Sequence, residues 1–213
     1  MKSTSLSLAL AVAALSVAPG CATTERSRTL NNPAVPAVAM AQQVCSNCHG
    51  LDGNSTSPNF PRLAAQQPEY LASQLTQFRN HGRSDPAGFV YMWGLSRHLS
   101  DDQIKGLAAY FAGQAAVANA PGDGRYATQG KSIFETGIPA NSVPACGVCH
   151  GAEGHGTAAF PRIAGQHADY VVKQLVIFQQ TEQRPQGAVM KTITHALTKE
   201  DMRAVASYVQ GLR

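Results

Sequence analysis

The stretch CSNCH at residues 45–49 occurs a second time as CGVCH at residues 146–150. C-x-x-C-H is the attachment signature of c-type haem. Two cysteines three residues apart lie on one side of a helical turn, so both thiols can reach the vinyl groups of one haem and form thioethers. The histidine that follows then lies beneath the iron. The two copies predict a protein with two covalently bound haem c groups.

These motifs assign most of the predicted site residues. The thioether-forming cysteines are Cys45, Cys48, Cys146 and Cys149, and the proximal iron ligands are His49 and His150. Two alternatives use the same cysteines: they could supply the thiolates of one zinc site, or act as redox dithiols, which would need a βαβ setting. No βαβ pattern surrounds either copy.

Both motifs belong to a longer internal repeat. The matching segments are residues 45–50 with 146–151, 59–66 with 159–166, 69–78 with 169–178 and 92–102 with 190–200. The alignment needs only short gaps in loops, where changes of length are tolerated. We interpret the repeat as a duplication that produces two equivalent halves.

A chain of 213 residues has room for two small domains. We place them at residues 34–113 and 125–213, joined by a linker over residues 114–124 that is rich in Ala, Gly and Asn. A domain of this size has a marginal apolar core, and a covalently held macrocycle would supply its hydrophobic centre. The composition, 44% hydrophobic and 7% aromatic, is consistent with helices packed around a flat cofactor.

Both halves favour helices and offer no convincing run of strands. Pro68 suits the first turn of a helix, and the apolar residues after it recur at helical spacing. The segment 100–103, Ser-Asp-Asp-Gln, resembles a capping box at the start of a further helix, and the segment 198–201, Thr-Lys-Glu-Asp, starts the equivalent helix of the second half. A short helix should run from about Pro33 into the first motif, and another from about Gly124 to Phe134. The predicted fold class is all-α.

A haem bound by histidine alone leaves one position open on the iron, and that position decides between electron transfer and chemistry on a small ligand. Met92 and Met190 occupy equivalent positions in the repeat, and we expect them in loops before the last helix of each half. A thioether ligand favours Fe(II) and raises the potential. We therefore predict that both are sixth ligands. Met40 and Met202 have no repeat partner, so we expect core or surface residues there.

Other polar residues are weaker candidates. Five further histidines lack a histidine at the equivalent position, and we expect them to be solvated or hydrogen-bonded: His81, His98, His155, His167 and His195. Arg62 and Arg162 follow paired prolines, and a guanidinium suits a haem propionate, although plain surface exposure is as consistent. Trp93 has Lys191 as its counterpart, so the two haem surroundings should differ.

The chain begins with a predicted secretory signal over residues 1–21, in which Lys2 precedes an apolar stretch too short to span a bilayer. The segment 18–21, Ala-Pro-Gly-Cys, is similar to a bacterial lipobox, so Cys21 could carry a lipid and residues 22–33 would form a tether. The alternative is ordinary cleavage near Ala22 without a lipid. Export agrees with haem attachment, which bacteria carry out outside the cytoplasm, and predicts a periplasmic location.

The motifs C-x-x-C-H-G, F-P-R-[LI]-A-x-Q and Y-x-x-x-Q-L, each present in both halves, resemble those of the cytochrome c4 family. The resemblance runs from about Ala34 to Leu212. It implies an all-α fold of two tandem cytochrome c-like domains, each wrapped around one covalently attached haem. It also implies one histidine and one methionine on each iron. The chain differs from the family in the bulky segment Phe89 to Trp93.

The resemblance further implies a periplasmic single-electron carrier, often membrane-associated, that delivers electrons towards a terminal oxidase. We therefore expect a redox protein donor and acceptor as partners, and no enzymatic activity. One alternative is a dihaem redox enzyme, such as a peroxidase or a thiosulfate dehydrogenase, which would need an open iron position. Another is an electron-transfer subunit of a larger dehydrogenase complex. The net charge of +4 comes without a basic run, so no nucleic-acid partner is expected.

Overall fold

The computed structural model describes residues 28–157 and 160–213, and these residues form helices joined by loops. Within these ranges extended pairing is limited to the isolated bridges Ile138 with Val143 and Thr157 with Phe160. The prediction of an all-α fold is confirmed. The predicted signal segment with Cys21, and residues 22–27 of the predicted tether, lie outside the described residues.

In the first half, the helix predicted from Pro33 begins at Ala37 and continues through a π-helical turn, Ala41–Cys45, into the first motif. A second π-helical turn, Gly88–Met92, leads into another helix. The α-helices of this half are α1 Ala37–Met40, α2 Ser46–His49, α3 Pro68–Arg79, α4 Trp93–Ser96 and α5 Asp101–Ala112.

The second half repeats this order after a linker without regular structure. The helix predicted over Gly124 to Phe134 begins with a 3-10 turn, Gly124–Tyr126, and extends to Thr136. The α-helices of this half are α6 Ala127–Thr136, α7 Gly147–His150, α8 Ala168–Gln180, α9 Ala188–Thr194 and α10 Lys199–Gly211.

The start signals read from the sequence act as expected. Pro68 is the first residue of α3, where its missing N–H costs nothing. The Ser100 hydroxyl accepts the N–H of Gln103 at 3.2 Å, and the Gln103 side chain accepts the N–H of Ser100 at 3.0 Å. Thr198 and Asp201 form the same reciprocal capping box before α10. The last helix of each half therefore has a fixed first turn.

Each half has its own apolar core. In the first, α5 packs against α1 and α3, and in the second, α10 packs against α6 and α8. The first core comprises Val35, Met40, Ala41, Leu71, Leu99, Ile104, Leu107, Ala108 and Phe111. The second comprises Ile133, Phe134, Val143, Leu175, Leu197, Met202, Ala204, Val205 and Val209. Met40 and Met202 are thus core residues. Among the described residues, no helix combines the length and the apolar character needed to cross a membrane.

Candidate haem sites

Both C-x-x-C-H motifs lie in helical turns. Cys45 ends a π-helical turn that continues directly into α2, and Cys146 immediately precedes α7. The motif cysteines are free thiols. Burial raises the pKa of the Cys45 and Cys146 thiols to about 11, which disfavours the thiolate that a metal would bind.

The two cysteine pairs serve different halves of the molecule. Cys45 packs against the first core and Cys146 against the second. A single zinc site would need all these thiolates around one ion, about 2.3 Å from it. The structure does not bring them together, so the four-thiolate alternative is wrong.

Each motif histidine has one ring nitrogen held by a proline carbonyl. Nδ1 of His49 donates to the carbonyl oxygen of Pro61 at 2.9 Å, and Nδ1 of His150 donates to that of Pro161 at 2.8 Å. A histidine that binds a metal commonly donates its other N–H in this way, which fixes the ring and leaves the Nε2 lone pair for the metal. Burial also lowers the pKa of both histidines, which favours the neutral form that binds a metal.

The loop after each motif returns the proline carbonyl to its histidine. The carbonyl of Gly53 accepts the N–H groups of Leu63 at 2.7 Å and Ala64 at 3.2 Å. Gly53 has a φ of +75°, and a Cβ there would lie 2.8 Å from the Ala64 nitrogen, so only glycine fits. Gly154 accepts the N–H of Ile163 at 2.8 Å in the second half. Both loops close by the same bonds.

Met92 and Met190 lie in helical segments, so the prediction that they occupy loops is wrong. Met92 ends the π-helical turn that leads into α4, and Met190 lies within α9. These segments are too short for a periodic apolar pattern to reveal them. Both side chains are half-buried, and Met190 packs against the second core.

A buried hydroxyl holds the backbone of each methionine. The Ser96 hydroxyl donates to the carbonyl oxygen of Met92 at 2.7 Å, and the Thr194 hydroxyl donates to that of Met190 at 2.7 Å. Ser96 and Thr194 are completely buried. This pair was not predicted, although a small hydroxyl residue four positions after each methionine is a signal present in the sequence.

The remaining histidines have partners or exposure of their own. His81 and His98 are exposed, and His81 lies 4.6 Å from the Trp93 ring, centroid to centroid. His155 and His195 bind backbone carbonyls near the surface. These environments are those expected from the sequence. His167 is buried and forms part of the contact between the halves.

Two buried glutamines join the halves reciprocally. The Gln66 side chain accepts the N–H of Arg162 at 2.7 Å and donates to its carbonyl at 2.8 Å. Gln166 binds the backbone of Arg62 in the same way, at 2.9 Å and 3.0 Å. Each amide therefore satisfies both backbone groups of an arginine in the other half.

The Arg62 and Arg162 side chains are half-buried at this contact, so plain surface exposure does not describe them. The Arg62 guanidinium donates to Asn54 at 2.8 Å and to the Gly165 carbonyl at 3.2 Å. Among the described residues its buried Nε has no partner. Burial lowers the pKa of Arg62, and burial together with the Arg62 charge lowers that of Arg162. An anion at this point would be stabilised.

The segment between the halves is bound by both of them. Asn54 accepts the N–H of Val117 at 2.9 Å from the first half. Asn119 donates to Nδ1 of His167 at 3.3 Å, while Nε2 of His167 donates to the Ser55 carbonyl at 2.8 Å. His167 is thus a neutral imidazole with both nitrogens used. These bonds restrict movement of one half relative to the other.

A cluster of buried charges lies across the same contact. Arg83 of the first half donates to Asp85 at 2.5 Å and to Gln174 of the second half at 3.3 Å. Arg184 of the second half donates to Gln174 at 2.6 Å and to Gln74 of the first half at 2.9 Å. The two arginines are 7% and 9% exposed, and Asp85 is 0% exposed. The cluster holds more positive than negative charge.

The sequence analysis did not identify this cluster. Arg83 and Arg184 lie over equivalent rings, Phe78 and Phe178, each with the guanidinium carbon 4.5 Å from the ring centroid. The phenylalanines were paired in the repeat, but the loops after them differ in length. Because of this difference in loop length, the two arginines do not align in the repeat, and the sequence did not predict that they are equivalent.

The residues present fit two haem groups. Each half offers two thiols on one helical turn and an imidazole whose free Nε2 is fixed in direction. Buried guanidinium groups in excess of carboxylates suit the haem carboxylates. The chemistry of the donors and the orphaned Nε of Arg62 both agree with the cofactor predicted from the motifs.

Comparison with known proteins agrees with this assignment. The Cytochrome c family model matches residues 36–114 and 127–213. Cytochrome c4 of Pseudomonas aeruginosa is 40% identical over 173 residues, which cover 79% of this chain and 84% of the relative. The reduced recombinant cytochrome c4 from Pseudomonas stutzeri has a TM-score of 0.76 and 35% identity, and the match covers 83% of this chain and 97% of that one.

A third relative has a different description. The thiosulfate dehydrogenase electron acceptor of Thiomonas intermedia is 30% identical over 172 residues, which cover 78% of this chain and 76% of the relative.

The chain belongs to the cytochrome c family, and within it to the cytochrome c4 group. The resemblance drawn from the repeated motifs is therefore confirmed, as is the all-α cytochrome c fold. Its cofactors are two covalently bound haem c groups, in keeping with one C-x-x-C-H motif in each half.

The reciprocal glutamines generate a prediction about stability. Gln66→Leu and Gln166→Leu should each lower the free energy of unfolding by about 2 kcal/mol, because each leaves a buried N–H and a carbonyl of an arginine unpaired. Denaturant unfolding of the holoprotein measures this effect. Gln180→Leu, an exposed position, is the matched control and should change stability by less than about 0.5 kcal/mol. Equal midpoints for all three variants would contradict the role of the glutamines.

Proposed function

We propose that this chain is a single-electron carrier in which His49 and Met92 bind one iron, and His150 and Met190 bind the other. The observation that carries the proposal is the matched histidine geometry, with Nδ1 donated to a proline carbonyl at 2.9 Å and 2.8 Å. Each haem, when bound, supplies one iron that takes up and releases one electron. The side chains hold the iron in one ligand field, so little has to rearrange when its charge changes.

The thioethers are proposed on the cysteines of the two motifs. Cys45 and Cys48 would bind the first haem, and Cys146 and Cys149 the second. The support is that these four cysteines form no disulfide and lie beside the fixed histidines. Covalent attachment would keep each haem beside the histidine of its own motif.

The methionine ligands are proposed from their equivalence and their backbone support. The hydroxyls of Ser96 and Thr194 bind the two methionine carbonyls at the same distance, so each sulfur is carried on a fixed helical turn. A thioether ligand favours Fe(II) and raises the reduction potential. A carrier with two such irons would accept electrons readily and hold them without reacting with small ligands.

The propionates are proposed to lie near the contact between the halves. The buried arginines there exceed the carboxylates, and the Nε of Arg62 is a buried donor without a partner among the described residues. Burial raises the pKa of the Tyr70 hydroxyl, but the charges of Arg184 and Arg83 outweigh it and lower that pKa overall. A positive potential of this kind would stabilise haem carboxylates.

We propose that the halves are separate domains at residues 34–113 and 125–213, with residues 114–124 as linker. The two separate apolar cores support this division. The contact through Gln66 and Gln166 would hold the two haems in one fixed relation. An electron could then be received at one haem and leave from the other.

The partners are proposed to be a redox protein donor and acceptor in the periplasm, with delivery towards a terminal oxidase. Cys21 would carry a lipid that anchors the protein to a membrane. Mass spectrometry of the mature N-terminus tests the anchor: a diacylglyceryl mass on Cys21 is expected, and a lipid-free N-terminus near Ala22 would contradict it.

A second candidate function is electron acceptance from a dehydrogenase. It is favoured by the relative described as a thiosulfate dehydrogenase electron acceptor. In this candidate function the electron donor would be a dehydrogenase, and the four residues proposed to bind the irons would stay the same. The enzyme alternative would instead require that either Met92 or Met190 leaves its iron open.

Substitution of the methionines tests the ligand assignment. Met92→Leu and Met190→Leu should each open one of the two irons, so the reduced variant should bind carbon monoxide at one haem and the double variant at both. The potential of the affected haem should fall, because the thioether that favours Fe(II) is lost. Absorption spectra under carbon monoxide and a redox titration measure these changes.

The matched controls are Met40→Leu and Met202→Leu, which make the same substitution in the two cores. They should keep the spectrum of the unmodified protein and bind no carbon monoxide. A Met92→Leu or Met190→Leu variant that behaved like these controls would remove that methionine from the ligand set.

A further inference from the structure

The surface beside Met92 carries a group of apolar side chains, which we call the aromatic patch: the exposed Phe89, Val90, Tyr91 and Leu95, and the half-buried Trp93. Phe89, Val90 and Tyr91 are 56%, 64% and 58% exposed, and Leu95 is 37% exposed. They follow one another on the π-helical turn and α4. Single exposed apolar residues are ordinary, but a contiguous group of them marks an interaction surface.

The rings of the patch are ordered against one another. Phe89 and Trp93 stack with their planes 9° apart and centroids 6.4 Å apart. The Arg97 guanidinium carbon lies 5.1 Å from the Trp93 ring centroid, and the His81 ring centroid lies 4.6 Å from that of Trp93 and 6.4 Å from that of Phe89. Pre-ordered aromatic rings lose little conformational entropy when a partner covers them.

The second half has no such patch at the equivalent place. Its α9 exposes Val189, at 58%, and replaces Trp93 by Lys191, which forms an ion pair with Glu182. This half keeps the same histidine and methionine backbone contacts without aromatic residues there, on the single helix α9 in place of the π-helical turn and α4. Those contacts therefore do not depend on aromatic residues at this place, and the exposure of the patch suits recognition of a partner.

Ring contacts connect the patch to the first motif. Tyr91 lies edge-on to Phe60, with centroids 6.4 Å apart, and Phe60 lies edge-on to His49, with centroids 6.3 Å apart. In the second half Phe160 approaches His150 at 6.2 Å, but the residue before Met190 is Val189. A continuous series of rings from solvent to the proximal histidine thus exists at the first site, whereas the aromatic series of the second stops at Phe160.

We propose that the aromatic patch is the docking surface for a redox partner, and that electrons are exchanged with that partner through the first haem. The inference rests on the proposed function and adds the place and the chemistry of contact. From Gly88 to His98 the one formal charge is that of Arg97. The partner that fits has an apolar contact face with carboxylates at its edge, which would meet the rings and Arg97.

The step is the transfer of one electron between the two proteins. The donor is oxidised and the acceptor reduced by one electron, and no bond forms or breaks and no proton moves. The patch would contribute close, water-excluding contact beside Met92 and the series of rings that leads to His49. The second haem would exchange its electron through the first or with another protein.

A gold electrode coated with a mixed monolayer of methyl-terminated and carboxylate-terminated alkanethiols serves as the probe for such a face. Adsorption of the holoprotein, measured with a quartz crystal microbalance, gives binding without reference to electron transfer, and voltammetry gives the exchange rate. The double variant Phe89→Ala with Tyr91→Val should adsorb about tenfold more weakly and exchange electrons more slowly, since aromatic anchors dominate such contacts.

Matched variants define the role of the patch. Val189→Ala, the equivalent surface of the second half, should leave adsorption and rate unchanged, and Tyr91→Phe should retain both. Arg97→Glu should shift preference from the carboxylate monolayer to an amine-terminated one. Equal adsorption by the double variant and the unmodified protein would overturn the proposal.

Two further results would also overturn it. If sedimentation shows that the unmodified protein is a dimer and the double variant a monomer, the patch is covered by a second copy of this chain. If an equilibrium titration of the unmodified protein shows no reversible one-electron step at either haem, the proposed function fails together with the docking surface. Reversible steps with patch-independent adsorption would overturn the docking surface alone.

Discussion

The hydrogen bond from a histidine Nδ1 to a proline carbonyl is the constraint on which both sites depend. It occurs twice, from His49 to Pro61 and from His150 to Pro161. The loop after each motif turns back at a glycine, Gly53 or Gly154, to bring the proline to the histidine. The carbonyl of that glycine accepts backbone N–H groups two and three residues after the proline. The bond fixes the imidazole ring and leaves the Nε2 lone pair available to a metal. Motif, loop and ring orientation are thus one unit, copied in each half.

Hydrogen bonds between the halves hold the two units in one arrangement. Gln66 and Gln166 bind the arginine backbone of the opposite half, and the Arg83–Arg184 cluster is shared by side chains of both. Separating the halves would take these buried amides and guanidinium groups away from their hydrogen-bond partners, which costs free energy. The two haem sites therefore keep one mutual arrangement, which suits transfer between them. The halves differ in the segment that carries each methionine, and the second half lacks the aromatic patch at the place equivalent to the first.

Much of the fold and the site could be predicted from the sequence, because the signals are local or repeated. The two C-x-x-C-H motifs indicate the cofactor, and the capping boxes at Ser100 and Thr198 mark the last helix of each half. The helical setting of Met92 and Met190 was missed, since segments of a few residues show no periodicity. The pairing of Arg83 with Arg184 was missed because it depends on three-dimensional packing across loops of unequal length. The reciprocal glutamines align in the repeat, but the sequence does not show that the side chain of each one binds the backbone of the other half.

Absorption spectra of the purified holoprotein, oxidised and reduced, test the central claim that each iron is bound by one histidine and one methionine. We predict two low-spin c-type haems in both states, with the weak near-infrared band of methionine on Fe(III), and no binding of carbon monoxide. A high-spin haem, or carbon monoxide binding to the native protein, would contradict the assignment of Met92 or Met190.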